Sequence, residues 1–409
     1  MFDPLAGPKP LDGVQVVDFS RVLAGPHCTK ILRDLGADVI KIEPPSGDLA
    51  RVAAPASNGM SHYYAQQNAG KRNVSIDLNY PAGRALVLDL CRRADVIVEN
   101  FRPGTLATFG LDHASVSEIN PAVVYVSISG YGHTGPWKAR AGYAPTVQAE
   151  TGFTDGLLGH LGLDGDAARN DFSSHADVYT GMEAAIAVLA GLHHRRTTGE
   201  GQHVDVAMAA TLLAVNERLH SVLSDIDRGG EPDALSAAQS PIFRLPDGRR
   251  VTIVASPVYT PFFHRYCAMM NRTDLLADPR FATPHLRAEN EAALLAEVRG
   301  WLLTFSDFGE LEAQMKVGGL AVGLLRTTRE FAETEWAKEC RAIVEVDDGA
   351  GGVIKVPAPP WRFSRSVLQP PTTVARRGAD NVAVLTDLGL TERQIKQLEA
   401  DRVLSNDAD

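Results

Sequence analysis

Val14-Gln15-Val16-Val17-Asp18-Phe19 and Ala37-Asp38-Val39-Ile40-Lys41-Ile42-Glu43 are short apolar runs joined by the turn Ala24-Gly25-Pro26 and a helical stretch to about Leu35, ended by Gly36. Strand, helix and strand in that order form a βαβ unit, so the opening predicts a parallel sheet of the doubly wound kind. The pattern recurs. Pro81 to Arg93 reads as a helix with proline near its first position, Asp95 to Glu99 as a strand, and Val123 to Ile128 as another. Strands this apolar suit a sheet covered on both faces, and open sheets of this kind bind ligands at the carboxyl ends of their strands.

Outward from this sheet, Glu183 to Leu192 reads as a buried helix, rich in alanine and leucine. It is closed by His193-His194-Arg195-Arg196, which complement the negative helix end. Gln202 to Val206 alternates like a half-buried strand before the chain turns helical again at Met208. A polar stretch, Asp225 to Pro232, reads as a linker to a smaller domain. That domain opens with the hairpin Ile242 to Val254, whose turn is Asp247-Gly248. A strand at Val353 and a helix from Thr391, a fair N-cap, close the chain.

The chain has 409 residues, 44% of them hydrophobic, and a formal charge of −10. Single cores rarely grow past about 250 to 300 residues, so two domains are expected. The acidic balance argues against a nucleic-acid binder. No apolar run reaches the roughly 20 residues of a membrane helix, and Met1-Phe2-Asp3-Pro4 lacks signal-peptide features, which points to the cytoplasm. Cys28, Cys91, Cys267 and Cys340 have no paired spacing and indicate neither disulfides nor zinc. The first loop holds one glycine followed by proline, so the dinucleotide fingerprint is missing. Gly156 to Asp166 lacks a phosphate-loop ending and reads as a mobile loop.

The candidate catalytic residue is Asp177, in Ser173-Ser174-His175-Ala176-Asp177-Val178-Tyr179-Thr180-Gly181-Met182, on the first turn of the alanine-rich helix. By itself that position favours an ordinary N-cap over a nucleophile. His175, two residues away, reads more readily as a structural donor than as a substrate contact.

Several ordered segments resemble the class III CoA-transferases, the CaiB/BaiF family. They are Leu11 to Val14 with Val22 to Pro26, Leu35 to Glu43, Gly70-Lys71-Arg72-Asn73, Ala94 to Gly104, Ser129 to Pro136, and Thr198 to Asp205. The resemblance is nearly full length and reverses the weighting of Asp177. It implies that this carboxylate attacks an acyl-CoA to give a mixed anhydride, and that CoA thiolate then gives an aspartyl-CoA thioester. A carboxylate nucleophile of this kind needs no general base and no ATP, and a helix N-terminus would favour its ionised form.

For CoA, the resemblance implies Leu23, Ala24, Ile76, Asp77, Leu78, Asn79, Asn100, Phe101, Arg102, Thr108 and Tyr143. Backbone groups at Ala24 and Leu78 would hold pantetheine or adenine, and Phe101 would offer a stacking face. Arg102, with Lys71 or Arg72, would meet phosphates. Lys71 and Arg72 as a solvated surface pair, and Ile76 and Leu78 as core strand positions, are the plainer readings.

The resemblance further implies a Rossmann-like large domain from residues 1–220 and 331–409, and a small domain with its linker at 221–330. It implies an interlocked homodimer with CoA thioesters as substrates and no resident cofactor; the partners would be an acyl-CoA, plausibly succinyl-CoA, and a small organic acid. Three departures stand out. Racemases of the family place a histidine where this chain has Tyr143, and a tyrosine with a pKa near 10 is a poor proton carrier at neutral pH. Pro44 stands where many members have arginine, and Ser236 to Pro241 stands near the expected glycine-rich loop, which leaves the shielding of the intermediate open. The rivals are a racemase or hydrolase on the same scaffold and a non-catalytic CoA-binding subunit.

Overall fold

The protein, described here from a computed structural model, is placed at residues 7–163, 168–217, 219, 223–224 and 240–407. The Asp225–Pro232 linker lies outside the described residues, as do Ser236 to Gln239. Two compact units result: residues 1–217 with 335–409, and residues 218–334.

The large unit is built on six parallel strands: β1 (Gln15–Asp18), β2 (Asp38–Glu43), β5 (Arg72–Ser75), β6 (Val96–Glu99), β7 (Val124–Ser129) and β8 (Gln202–Ala207). A two-residue hairpin, β3 (Ala56–Ser57) with β4 (Met60–Ser61), lies apart from them. The sheet order is β5-β2-β1-β6-β7-β8, so the chain winds outward from β1 in one direction and then restarts at β6 in the other. The loops after β1 and β6 therefore diverge at a topological switch point, where open α/β sheets form their binding crevice.

Period-two alternation divides the strands between two cores. Val17, Ile40, Ile97 and Tyr125 face one side and pack with α3 (Pro81–Arg93) and the C-terminal helices Asn381–Asp387 and Glu392–Ala400. Val16, Val39, Val96 and Val124 face the other, against α1 (Ala24–Asp34) and α7 (His175–Thr198). Both faces are covered, which is why these strands are continuously apolar. Sequence-distant C-terminal residues complete the first core. Thr391 caps the last helix in a reciprocal pair: its hydroxyl oxygen accepts from Gln394 N, and its N–H donates to Gln394 Oε1 at 2.9 Å.

The α1–α7 contact needs glycine at 181. A Cβ there would lie 2.6 Å from the Ala24 carbonyl oxygen, so the helices approach at backbone distance. α7 is not buried all round: Met182, Ile186 and Leu189 are 46%, 58% and 39% exposed and share one outer stripe, where the sequence predicts a buried helix. Gly156 to Asp166 also departs from expectation, since α6 (Phe153–Leu161) occupies much of the predicted loop. Its Leu157-Leu158 pair and a left-handed glycine stop at Gly162 support a helix that the glycine count masks.

The small unit is a three-stranded antiparallel sheet, β9 (Ile242–Arg244), β10 (Arg250–Ile253) and β11 (Val322–Leu324), under helices Thr260–Met270, Glu291–Leu302 and Phe308–Val317. β9 and β10 form the expected hairpin, with Gly248 at φ +85° in its turn. A further antiparallel pair, β12 (Ile343–Asp347) with β13 (Val353–Pro357), belongs to the large unit; β13 was expected and β12 was not.

Candidate active site

A cleft of about 360 Å³ opens at the switch point. The loop after β1 supplies Arg21, Val22 and Leu23; the loop after β6 supplies Asn100, Phe101 and Arg102; Tyr143 and Asp177 close the far side. A second pocket of about 190 Å³ adjoins it through the shared Arg21, Phe101 and Thr105, and is lined by Ile76, Asp77, Leu78 and Asn79.

A buried charge network sets the first wall. Lys41 Nζ donates to the Ser20 carbonyl at 2.6 Å and pairs with Asp48 at 3.0 Å, both side chains fully buried. Asp48 in turn accepts the Val22 N–H at 3.1 Å. This holds Val22 at φ +66°, a conformation that costs a β-branched residue on the order of 1–3 kcal/mol and persists only where surroundings impose it. The second wall is laced to the first by one side chain. Asn100 Oδ1 accepts from Arg21 N, and Asn100 Nδ2 donates to the Arg21 carbonyl, both at 2.8 Å. Arg21 then lies with its guanidinium 5.0 Å from the Phe101 ring. Gly130 and Gly142 permit the third approach, since a Cβ on either would sit within 2.6 Å of the other's Cα.

Asp177 stands in the first turn of α7, but it is not the cap. Ser174 occupies the N-cap position, and Gln148, buried on α5 (Ala144–Glu150), accepts the Ala176 N–H at 3.3 Å. Among the described residues the Asp177 carboxylate accepts no hydrogen bond. Burial alone pushes its pKa up to about 6. Burial acts against the lowering expected of a helix N-terminus. At pH 7 a carboxyl of that pKa is still about nine-tenths ionised. The result is a poorly solvated anion, more basic and more nucleophilic than one in water. Tyr63, on α2 (His62–Asn68), lies within its field: burial, then the Asp177 and Asp48 charges, push the phenol to about 12.

The other anticipated residues fall out unevenly. Leu23, Asn100, Phe101, Arg102 and Tyr143 line the cleft, and Ile76 to Asn79 line the adjoining pocket. Ala24 is fully buried with its carbonyl against Gly181, and Ile76, though it borders the adjoining pocket, is 1% exposed and packed in the core. The Thr108 hydroxyl donates back to Thr105 O at 2.7 Å, and Thr108 lines neither pocket.

Lys71 is withdrawn from any phosphate. It is 4% exposed and donates to Asp18, Thr29, Asn68 and the Pro26 carbonyl. Burial pulls its pKa down to about 8 against the raising effect of Asp18. Arg72 pairs with Asp38 and Asp387. His175 Nε2 meets Asp171 Oδ2 at 2.6 Å, a local structural pair. Arg21, Tyr63 and Asp48 were not anticipated; Arg21, a cation directly after a strand that ends at the crevice, carried a legible signal.

Residues 11–381 match the family described as CoA-transferase family III. The chain belongs to that family. The transferase is 32% identical over 97% of its length to succinyl-CoA–D-citramalate CoA-transferase of Chloroflexus aurantiacus, covering 98% of that protein. It is 33% identical over 94% of its length to succinate–glutarate CoA-transferase of Agrobacterium fabrum, covering 97% of it. The crystal structure of a CaiB/BaiF family protein from Brucella suis superposes with a TM-score of 0.77 at 31% identity, covering 94% of this chain and 100% of that one. The enzyme is thus a CoA-transferase, and among the described residues no helix is long and apolar enough to cross a membrane.

Proposed function

We propose that this transferase moves CoA from a dicarboxylic acyl-CoA, succinyl-CoA foremost, to an organic carboxylate, with Asp177 as nucleophile. One observation carries the reading: a half-buried carboxylate, without hydrogen bonds among the described residues, faces the cleft at the sheet's switch point. An Asp177 oxygen attacks the acyl carbonyl, and the C–S bond breaks to release CoA thiolate and leave a mixed anhydride. The thiolate attacks the Asp177 carbonyl of that anhydride, which expels the donor's carboxylate and forms the aspartyl-CoA thioester. The acceptor carboxylate then attacks the thioester and expels the thiolate, which takes the acceptor's acyl group and regenerates Asp177. Overall one thioester is exchanged for another of similar energy, so neither ATP nor a net proton transfer is required.

Arg21 and Phe101, shared by both pockets, support a ligand that runs from one to the other. The smaller pocket suits the adenosine end, and the larger suits the pantetheine arm and thioester, with Leu23, Arg102 and Tyr143 beside it. The names of the two relatives above, each a transferase acting with succinate or its CoA ester, support the donor class. Tyr143 and the engagement of His175 by Asp171 weigh against racemisation. The Met182, Ile186 and Leu189 stripe supports self-association into the expected homodimer, which sedimentation would show as a doubled mass.

The test is trapping. The protein incubated with succinyl-CoA and then hydroxylamine or borohydride is expected to carry a modified Asp177 by peptide mass spectrometry. An unmodified Asp177, with full turnover by Asp177→Ala, rejects the reading.

A further inference from the structure

Beside the cleft, and sharing Arg102 with it, lies a cavity of about 280 Å³ that the reaction above does not use. Its floor is Glu99, the last residue of β6, whose side chain is 4% exposed. Glu99 Oε2 accepts the Phe101 N–H at 2.8 Å. Its Oε1 lies 3.5 Å from His133 Nε2, a buried nitrogen that has no hydrogen-bond partner among the described residues. His133 is itself held in place, because its backbone N–H donates to Asp205 Oδ2 at 2.7 Å.

The remaining groups facing this carboxylate are accounted for element by element. From β7, the Ser127 hydroxyl faces the carboxylate and also lies 3.0 Å from His203 Nε2, and the Tyr125 hydroxyl donates to Leu111 O. From β8, His203 stacks on His113 with centroids 5.0 Å apart. The helix His113–Ile119 contributes His113 and its preceding Asp112. Burial lowers the pKa of His113, His133 and His203, so none supplies a firm positive charge at neutral pH.

We propose that Glu99 and His133 form a positioning pair for CoA. The carboxylate fixes the Phe101 amide, and through it the Phe101–Arg102 wall of the cleft, while the unpartnered His133 Nε2, 3.5 Å away, faces the other oxygen. An ionised acceptor makes a hydrogen bond roughly twice as strong as a neutral one, so the wall is held best when Glu99 is charged. Burial, joined by the Asp205 charge on β8, pushes that ionisation up to about 7, against the lowering effect of the Ser127 and Phe101 hydrogen bonds. CoA affinity consequently rises with pH across the neutral range. This rests on the reading of the cleft as the CoA site.

The experiment measures CoA binding by calorimetry at pH 6 to 8 in the full chain. It uses an Asp177→Asn background so that the nucleophile does not titrate. If the binding-competent form is the ionised one, its fraction falls about tenfold from pH 8 to pH 6, and the dissociation constant rises about tenfold relative to the Glu99→Gln chain. The glutamine keeps a carbonyl for the Phe101 amide but cannot ionise. Identical pH slopes in the two chains overturn the positioning role alone; absence of CoA binding in both overturns the cleft assignment and this inference with it. Should Glu99→Gln not fold, His133→Phe removes the polar neighbour of Glu99 and is expected to move the midpoint above 7. An unmoved midpoint overturns the pair.

Discussion

Replacing Asp177 by asparagine is expected to stabilise the protein above pH 6 and to leave it unchanged at pH 4. The folded-state pKa is raised to about 6 from the ordinary 3.8 by burial. Below 3.8 the group is protonated in both folded and unfolded chains and contributes nothing. Between about 4 and 6 the unfolded chain ionises first, and the folded state loses stability; above 6 the penalty is constant. Two units correspond to about 3 kcal/mol at most, and partial solvent access reduces this to about 1–2 kcal/mol. For a unit of this size that raises Tm by about 2–6 °C. Calorimetric melts of both proteins at pH 4, 5, 6, 7 and 8 provide the assay. A pH-independent Tm difference, or a less stable variant at pH 8, refutes the claim that the carboxylate is held desolvated for chemistry at a cost in stability.

Three further outcomes are expected. The single-turnover rate of Asp177 modification at saturating acyl-CoA falls about tenfold from pH 7 to pH 5, as the ionised fraction does for a pKa of about 6; rapid quench shows a flat rate if the group titrates near 4. Gly181→Ala places a Cβ 2.6 Å from the Ala24 carbonyl and is expected to cost about 1–3 kcal/mol in denaturant melts, with a raised KM for acyl-CoA because α1 carries the Val22–Leu23 loop. In the small unit, Arg287, 2% exposed, donates to the Val258 and Phe281 carbonyls and to Thr260 Oγ1. Arg287→Ala leaves those acceptors unmet and opens a cavity, so about 3 kcal/mol is lost in urea melts of the full chain.

The parallel sheet and the position of Asp177 were legible because both rest on local signals: apolar runs separated by helical stretches, and a carboxylate opening an alanine-rich helix. The hairpin at Asp247-Gly248 was legible for the same reason, since a left-handed turn demands particular residues in sequence. Lys71 and Arg72 were not distinguishable from phosphate ligands in a linear motif. Their partners, Asp18 and Thr29 for one, Asp38 and Asp387 for the other, come from elements far apart in the chain. The α6 helix was hidden by glycines that tertiary context tolerates.

Residue order alone determined the βαβ winding, the switch point that follows from it and the placing of a carboxylate, Asp177, on a helix start, because hydrophobic period and turn chemistry act over a few residues. Tertiary structure decided the state of that carboxylate. Whether Asp177 is a capped, solvated anion or a bare, basic one depends on Gln148 accepting the Ala176 N–H and on how far the surrounding elements bury the carboxylate. Desolvation is a property of everything that surrounds a group in space, and no window of sequence contains it.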